Sequence, residues 1–227
     1  MTVGSFTSVI SVEQQTAQPQ RPRLRGWLHA VMLPTAILGG IALVELADSS
    51  EERISVAIFA LAATVLFGTS ALLHRGTWSP GVEGALRRTD HSNIYLIIAA
   101  TCTPFAVLAM PNERGRVLLF IVWIGALIGV AFRVLWVGAP RWLYTPVYVA
   151  LGWVAIFYLS DLVRGAGVVA VVLIALGGVL YSAGAVVYGT KWPNPSAEWF
   201  GFHEVFHVLT IAAFAAHYLA VWMVVAA

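Results

Sequence analysis

Five side chains in this sequence could do chemistry together: His74, His203, His207, Asp90 and Ser70. His203 and His207 fall at i and i+4 within "GFHEVFH", residues 201–207, so a helix puts both on one face. Two imidazoles at that spacing can bind one divalent ion. His74, at the end of a different apolar stretch, supplies a third nitrogen. Three protein ligands with a fourth position left to water make the ligand set of a catalytic Zn²⁺ site. Neutral imidazoles leave the charge of the ion uncompensated in a low dielectric, and a nearby carboxylate lowers that cost. Asp90 could do this, hydrogen-bonding the water on the ion and acting as its base. Ser70 lies one turn from His74 on the same face and could orient a ligand or that water.

The same stretch also spells H-E-x-x-H, the letters of zinc peptidases, in which the Glu is the general base. Glu204 is one residue, ~100° around a helix, off the His203/His207 face. The extended form of that motif wants a third His six residues after the second, where Ala213 stands. Nothing else in the chain supports a peptidase site. His217 is ~15 Å along the helix from His207, too far to share its ion. His29 is left outside the set as an interfacial or supporting residue, and His91 because it points ~100° away from Asp90.

What must position these residues is a membrane bundle. The chain has 227 residues, 59% apolar and 11% charged, with a mean hydropathy of +0.83. That much apolar surface needs lipid as its solvent. Seven apolar runs are long enough to cross: 27–47, 54–74, 91–110, 116–137, 142–162, 167–188 and 202–226. None alternates as a β-barrel strand does, so the fold class is all-α, a polytopic protein of seven transmembrane helices. With the N-terminus inside, nine Lys and Arg fall on inner segments and four on outer ones, so the C-terminus lies outside. Trp27, Trp78, Trp136, Trp142, Trp192 and Trp199 then cluster near inner ends as an aromatic belt. Residues 1–25 are polar and Gln-rich, and read as a disordered cytoplasmic tail before a transmembrane domain over 26–227.

This topology puts His74, Asp90, His203 and His207 at one depth, the cytoplasmic end. Span count and direction give that depth; they do not make the helices neighbours. A lone Cys102 excludes an internal disulfide, and a net charge of +2 gives no reason to expect nucleic acid as a partner. The absence of an internal repeat disfavours an inverted-repeat transporter. Membrane lipids are the expected partners, and the cell membrane the expected location.

Several motifs carry a family resemblance. "SALLH" (70–74), "RRTDHSNIYLIIAATCTPF" (87–105), "YVALGW" (148–153), "GGVLYSAGAVVY" (177–188) and "FHEVFHVLTIAAFAAH" (202–217) are similar to segments of the hemolysin III family. That family is the bacterial branch of the progestin and adipoQ receptor superfamily. The resemblance implies a seven-helix, N-in fold with zinc near the cytoplasmic face, His74, His203 and His207 as ligands, Asp90 beside the water, and Ser70 as the motif serine. It also implies that Glu204 is no dedicated base, since that position varies in the family. Three functions stay open. The first is a zinc-dependent, ceramidase-like hydrolase of a lipid amide or ester, with a role in membrane lipid homeostasis. The second is a non-catalytic, receptor-like protein with structural zinc. The third is a hemolysin-type cytolysin, disfavoured because uniformly apolar spans offer no wide polar channel. Arg133 is expected to snorkel to the interface, or to pair with a lipid phosphate.

Overall fold

A backbone in lipid has to satisfy its N–H and C=O groups internally, which leaves helices as the open-chain solution. The computed structural model describes residues 22–136 and 138–227. Among these it is helical almost throughout, and the one strand-like feature is an isolated bridge between Ser196 and Phe200. The helices are α1 (Trp27–Leu46), α2 (Ser50–Arg75), α3 (Pro80–Leu108), α4 (Asn112–Leu135), α5 (Arg141–Gly152), α6 (Leu159–Thr190) and α7 (Phe202–Val225). Large apolar side chains such as Leu38, Phe120, Leu135 and Phe157 stand exposed on the outer surface, where lipid is their solvent. The chain is an integral, multi-pass membrane protein.

Six helical stretches are long and apolar enough to cross, one of them the 50-residue run Arg141–Thr190. The sequence reading divides that run in two. The structure joins α5 to α6 through a 3-10 segment, Trp153–Tyr158, with no long loop. Straight, 50 helical residues would measure ~75 Å, more than twice a hydrocarbon core. They are not straight. The backbone leaves helical geometry at Gly167 (φ 81°, ψ 163°), a region open essentially to glycine alone. Polar contacts between the halves then run in opposite directions along the chain. Arg141 Nη1 donates to the Tyr188 carbonyl at 3.1 Å, the Tyr144 and Tyr188 hydroxyls meet at 3.3 Å, and Trp153 Nε1 donates to Ser182 Oγ at 3.0 Å. The halves lie antiparallel.

Helix α3 starts eleven residues before the expected run 91–110. Hydropathy marks where lipid begins, whereas the helix begins where its backbone can. Pro80 occupies the first turn, Glu83 faces the helix N-terminus, and Glu83 pairs with Arg87 at 2.6 Å. Within the bundle α3 packs on α2, α4, α5, α6 and α7, while α7 packs on α6 and α1. This central position accounts for its buried Ser92, Asn93, Thr101 and Thr103. Asn93 Nδ2 donates to the Val65 carbonyl at 3.3 Å and ties α3 to α2.

Of the expected tail, residues 1–21 lie outside the described residues. Residues 22–26 form a turn held to the segment before α7: the Arg23 and Leu24 N–H groups donate to the Glu198 and Trp199 carbonyls at 2.8 and 3.3 Å.

Gly167→Ala should cost ~1–3 kcal/mol, because a Cβ is poorly tolerated at that backbone geometry even with open space around it. Thermal unfolding of the detergent-solubilised protein measures this. An unchanged midpoint would mean that the reversal does not depend on glycine.

Candidate metal centre

Three helix ends meet at one end of the bundle. Helix α2 closes with His74 in its last turn and gives way to extended backbone at Gly76. Helix α7 opens at Phe202 after an extended Gly201, whose N–H donates to Glu204 Oε2 at 2.8 Å. That bond satisfies one of the open donors at the helix start. Helix α1 begins after Gly26, in left-handed conformation at φ +80° and pressed against α2. A Cβ on Gly26 would stand 2.7 Å from the His74 Cβ, so glycine is required twice over.

The first turns of α7 then face the last turn of α2. His74, His203 and His207 each offer a ligand atom, all within 4.8 Å of one another. The Nε2 atoms of His203 and His74 are 3.1 Å apart. Two nitrogens on a tetrahedral zinc, at 2.0–2.1 Å each, stand ~3.3 Å apart. The ring centres are separated by 4.7 Å (His74–His203), 4.5 Å (His203–His207) and 5.4 Å (His74–His207). His207 is buried and the other two half-buried. A borderline-soft dication suits this all-nitrogen set, and the spacing fits one ion.

The structure brings the three histidines together and leaves Asp90 outside that group of ligand atoms. Asp90 is half-buried on α3, and the buried Ser70 hydroxyl of α2 is turned to its carboxyl group. Ser70 thus meets Asp90 across the α2–α3 interface.

Glu204, the would-be peptidase base, is 1% exposed and fully engaged. One carboxylate oxygen accepts from the Gly201 N–H and the other pairs with Arg25. It caps α7 and anchors the turn before α1. Arg133 does not snorkel. It is 3% exposed, lies 4.3 Å over the Tyr144 ring, and contacts His91 Nδ1 at 2.6 Å. His217 is held elsewhere, 3.0 Å from the Ile174 carbonyl on α6. Sequence reasoning missed two residues at the centre. The sequence places Arg25 in the tail and leaves His29 outside the ligand set, yet His29 is buried and stacked on His207. The signal for His29 was its depth, which matches that of the triad.

Beside the centre lies an apolar cavity of about 270 Å³, bounded by α3, α5, α6 and α7. Phe206 and Thr210, which flank His207 on α7, line its near end. On α3 its wall runs from Ile94 to Phe105, ~16 Å of helix. Ile156 and Leu159 line it too and are themselves exposed on the outer surface.

Residues 17–218 match the family described as Haemolysin-III related. The chain is 36% identical to a Hemolysin-3 homolog of Bacillus subtilis (strain 168) over 155 residues, 68% of this chain and 72% of that protein. It is 32% identical to Hemolysin-3 of Bacillus cereus over 147 residues, 64% and 67% of the two chains. It is also 24% identical to the Monocyte to macrophage differentiation factor of Homo sapiens over 200 residues, 86% of this chain and 81% of that one.

Arg25→Ala should destabilise the protein by ~3–5 kcal/mol, because it leaves the Glu204 carboxylate buried without its partner. Glu204→Gln keeps an acceptor for Gly201 and removes the charge, so it should cost less and leave metal content unchanged. Thermal unfolding and metal analysis of both variants check this. If Glu204→Gln bound metal and folded normally yet lost an activity of the wild type, Glu204 would be a base after all.

Proposed function

We propose that the chain, which belongs to the haemolysin-III-related family, is a seven-span protein with its N-terminus inside the cell that hydrolyses an amide or ester of a membrane lipid at a zinc held by His74, His203 and His207. In a bacterial cell its membrane is the plasma membrane. The observation that carries the reading is the convergence of three imidazoles beside an apolar cavity, with a carboxylate on the neighbouring helix.

Zinc at this position would supply Lewis acidity toward a carbonyl oxygen and a more acidic water. The rest falls to the chain. Three carboxylates lie within the bundle at Glu204, Asp161 and Asp90. The first two pair with Arg25 and Arg114, whereas Asp90 makes no salt bridge among the described residues. A carboxylate kept out of ion pairs is available to take a proton from an attacking water. The Ser70 hydroxyl, turned to it, would hold its orientation. The cavity offers an apolar wall long enough for part of an acyl chain, and the exposed Ile156 and Leu159 beside it suit entry from the bilayer. The relatives named hemolysin raise a pore-forming reading, but this cavity is apolar and offers no polar path for ions. The antiparallel packing of α5 on α6 supports counting residues 141–190 as two spans, and the bias of nine basic residues against four supports the orientation.

Metal analysis of the purified protein should find one zinc per chain, lost in His203→Ala. Asp90→Asn should keep the zinc and lower lipid hydrolysis by ~10²–10⁴-fold, the usual range for a general base. Comparing lipids from cells with and without the protein would identify the substrate. Full hydrolysis by a zinc-loaded Asp90→Asn would sink the proton role, and a metal-free wild type the whole reading.

For orientation, a cysteine placed at Ala227 should react with a membrane-impermeant maleimide in intact cells, and one placed at Thr77 only after permeabilisation. The native Cys102 is buried and adds little background. The reverse pattern would invert the topology.

A further inference from the structure

We infer that His29 is a positioning residue for His207, holding the plane of that ring by face-to-face stacking. The inference rests on the reading of His74, His203 and His207 as metal ligands. The His29 and His207 rings are 3.7 Å apart between centres and 8° from parallel. Behind His29, Phe67 meets its ring nearly edge-on at 5.1 Å. His29 is therefore clamped between α2 and α7, with one flat face on a ligand ring.

Metal-binding imidazoles are ordinarily oriented from behind, by a hydrogen bond from the second ring nitrogen to a carboxylate, carbonyl or water. At His207 Nδ1 no side chain or carbonyl of the described residues supplies such a bond. Its ring is oriented by the neighbour stacked on it. His29 is poorly placed to be a fourth ligand. Lone pairs on imidazole nitrogens lie in the ring plane, so those of two parallel stacked rings run side by side and do not converge on one ion. Its nitrogens also fall outside the group of ligand atoms. Simple space-filling is a poor account as well. Both His29 nitrogens are buried without partners, a cost of ~1–3 kcal/mol each that an aliphatic side chain would avoid. A flat ring stands there in spite of that cost. The face of an aromatic ring is its electron-rich surface, and a cation bound to His207 draws density from the ring opposite, so the stack strengthens when the ion binds.

The test compares purified wild type with His29→Leu, which fills the space without a flat face, and His29→Phe, which restores one. Each protein is stripped of metal, its Kd for Zn²⁺ is measured by chelator competition, and its Co²⁺ absorption spectrum is recorded. His29→Leu should weaken Zn²⁺ binding by ~10–100-fold and alter the Co²⁺ bands, as losing an orienting partner does, while His29→Phe should stay within ~threefold of wild type. Thermal unfolding of the metal-free proteins separates a general folding defect from a defect at the site. A His29→Leu protein with wild-type affinity and spectrum would overturn the inference, as would a His29→Phe protein as weak as His29→Leu. A wild type that binds neither ion would overturn the ligand reading beneath it.

Discussion

Imidazole nitrogens facing one another inside a membrane bundle have to be held there by the helices around them. Two such nitrogens 3.1 Å apart are stable only with something positive between them, a proton or a cation. A third ring converges on the same point. Polar groups left unsatisfied in a hydrocarbon surround cost several kcal/mol each, which makes three converging rings costly to hold there. The local architecture follows from holding these rings in place. Gly26 lets α1 start hard against His74, Glu204 caps the helix carrying the other two rings, and Arg25 ties that cap to the start of α1.

Electrostatic pairing distinguishes the acids inside the bundle. Glu204 and Asp161 are nearly inaccessible, and each faces an arginine from a different helix or turn. Breaking either pair would strand a buried charge, so they hold the fold without being free to react. Asp90 is half-buried, with the Ser70 hydroxyl beside it and Arg87 near enough to act on its charge without a salt bridge among the described residues. A neutral hydroxyl orients a carboxylate without neutralising it. Both kinds of acid sit in the same apolar chain and differ in the partners that hold them.

Depth was legible in the sequence, whereas azimuth was not. Counting apolar runs from either terminus put His74, Asp90, His203 and His207 on one level, and the structure brings the three histidines of that set together. Span counting says nothing of which helix faces which, so the stacking of His29 on His207 across α1 and α7 could not be read. Arg133 shows the same gap. Its position near the end of α4 suggested snorkelling, but its side chain turns inward to the rings of His91 and Tyr144. Helix ends were legible only where lipid and helix stop together. They do so at α7, but α3 continues as a charged helix beyond the apolar run.

The stretch H-E-x-x-H shows why letters alone do not assign a mechanism. In a peptidase reading its glutamate must be free to take a proton from water. Here the same glutamate is the third residue of its helix. Backbone donors there point out of the helix start and attract a carboxylate, whatever the metal nearby. Here one oxygen accepts from Gly201 and the other pairs with Arg25, which holds the carboxylate at the helix start. The two histidines keep their ligand geometry because it follows from the i, i+4 spacing alone. On the neighbouring helix α3, Asp90 presents a second carboxylate, beside Ser70.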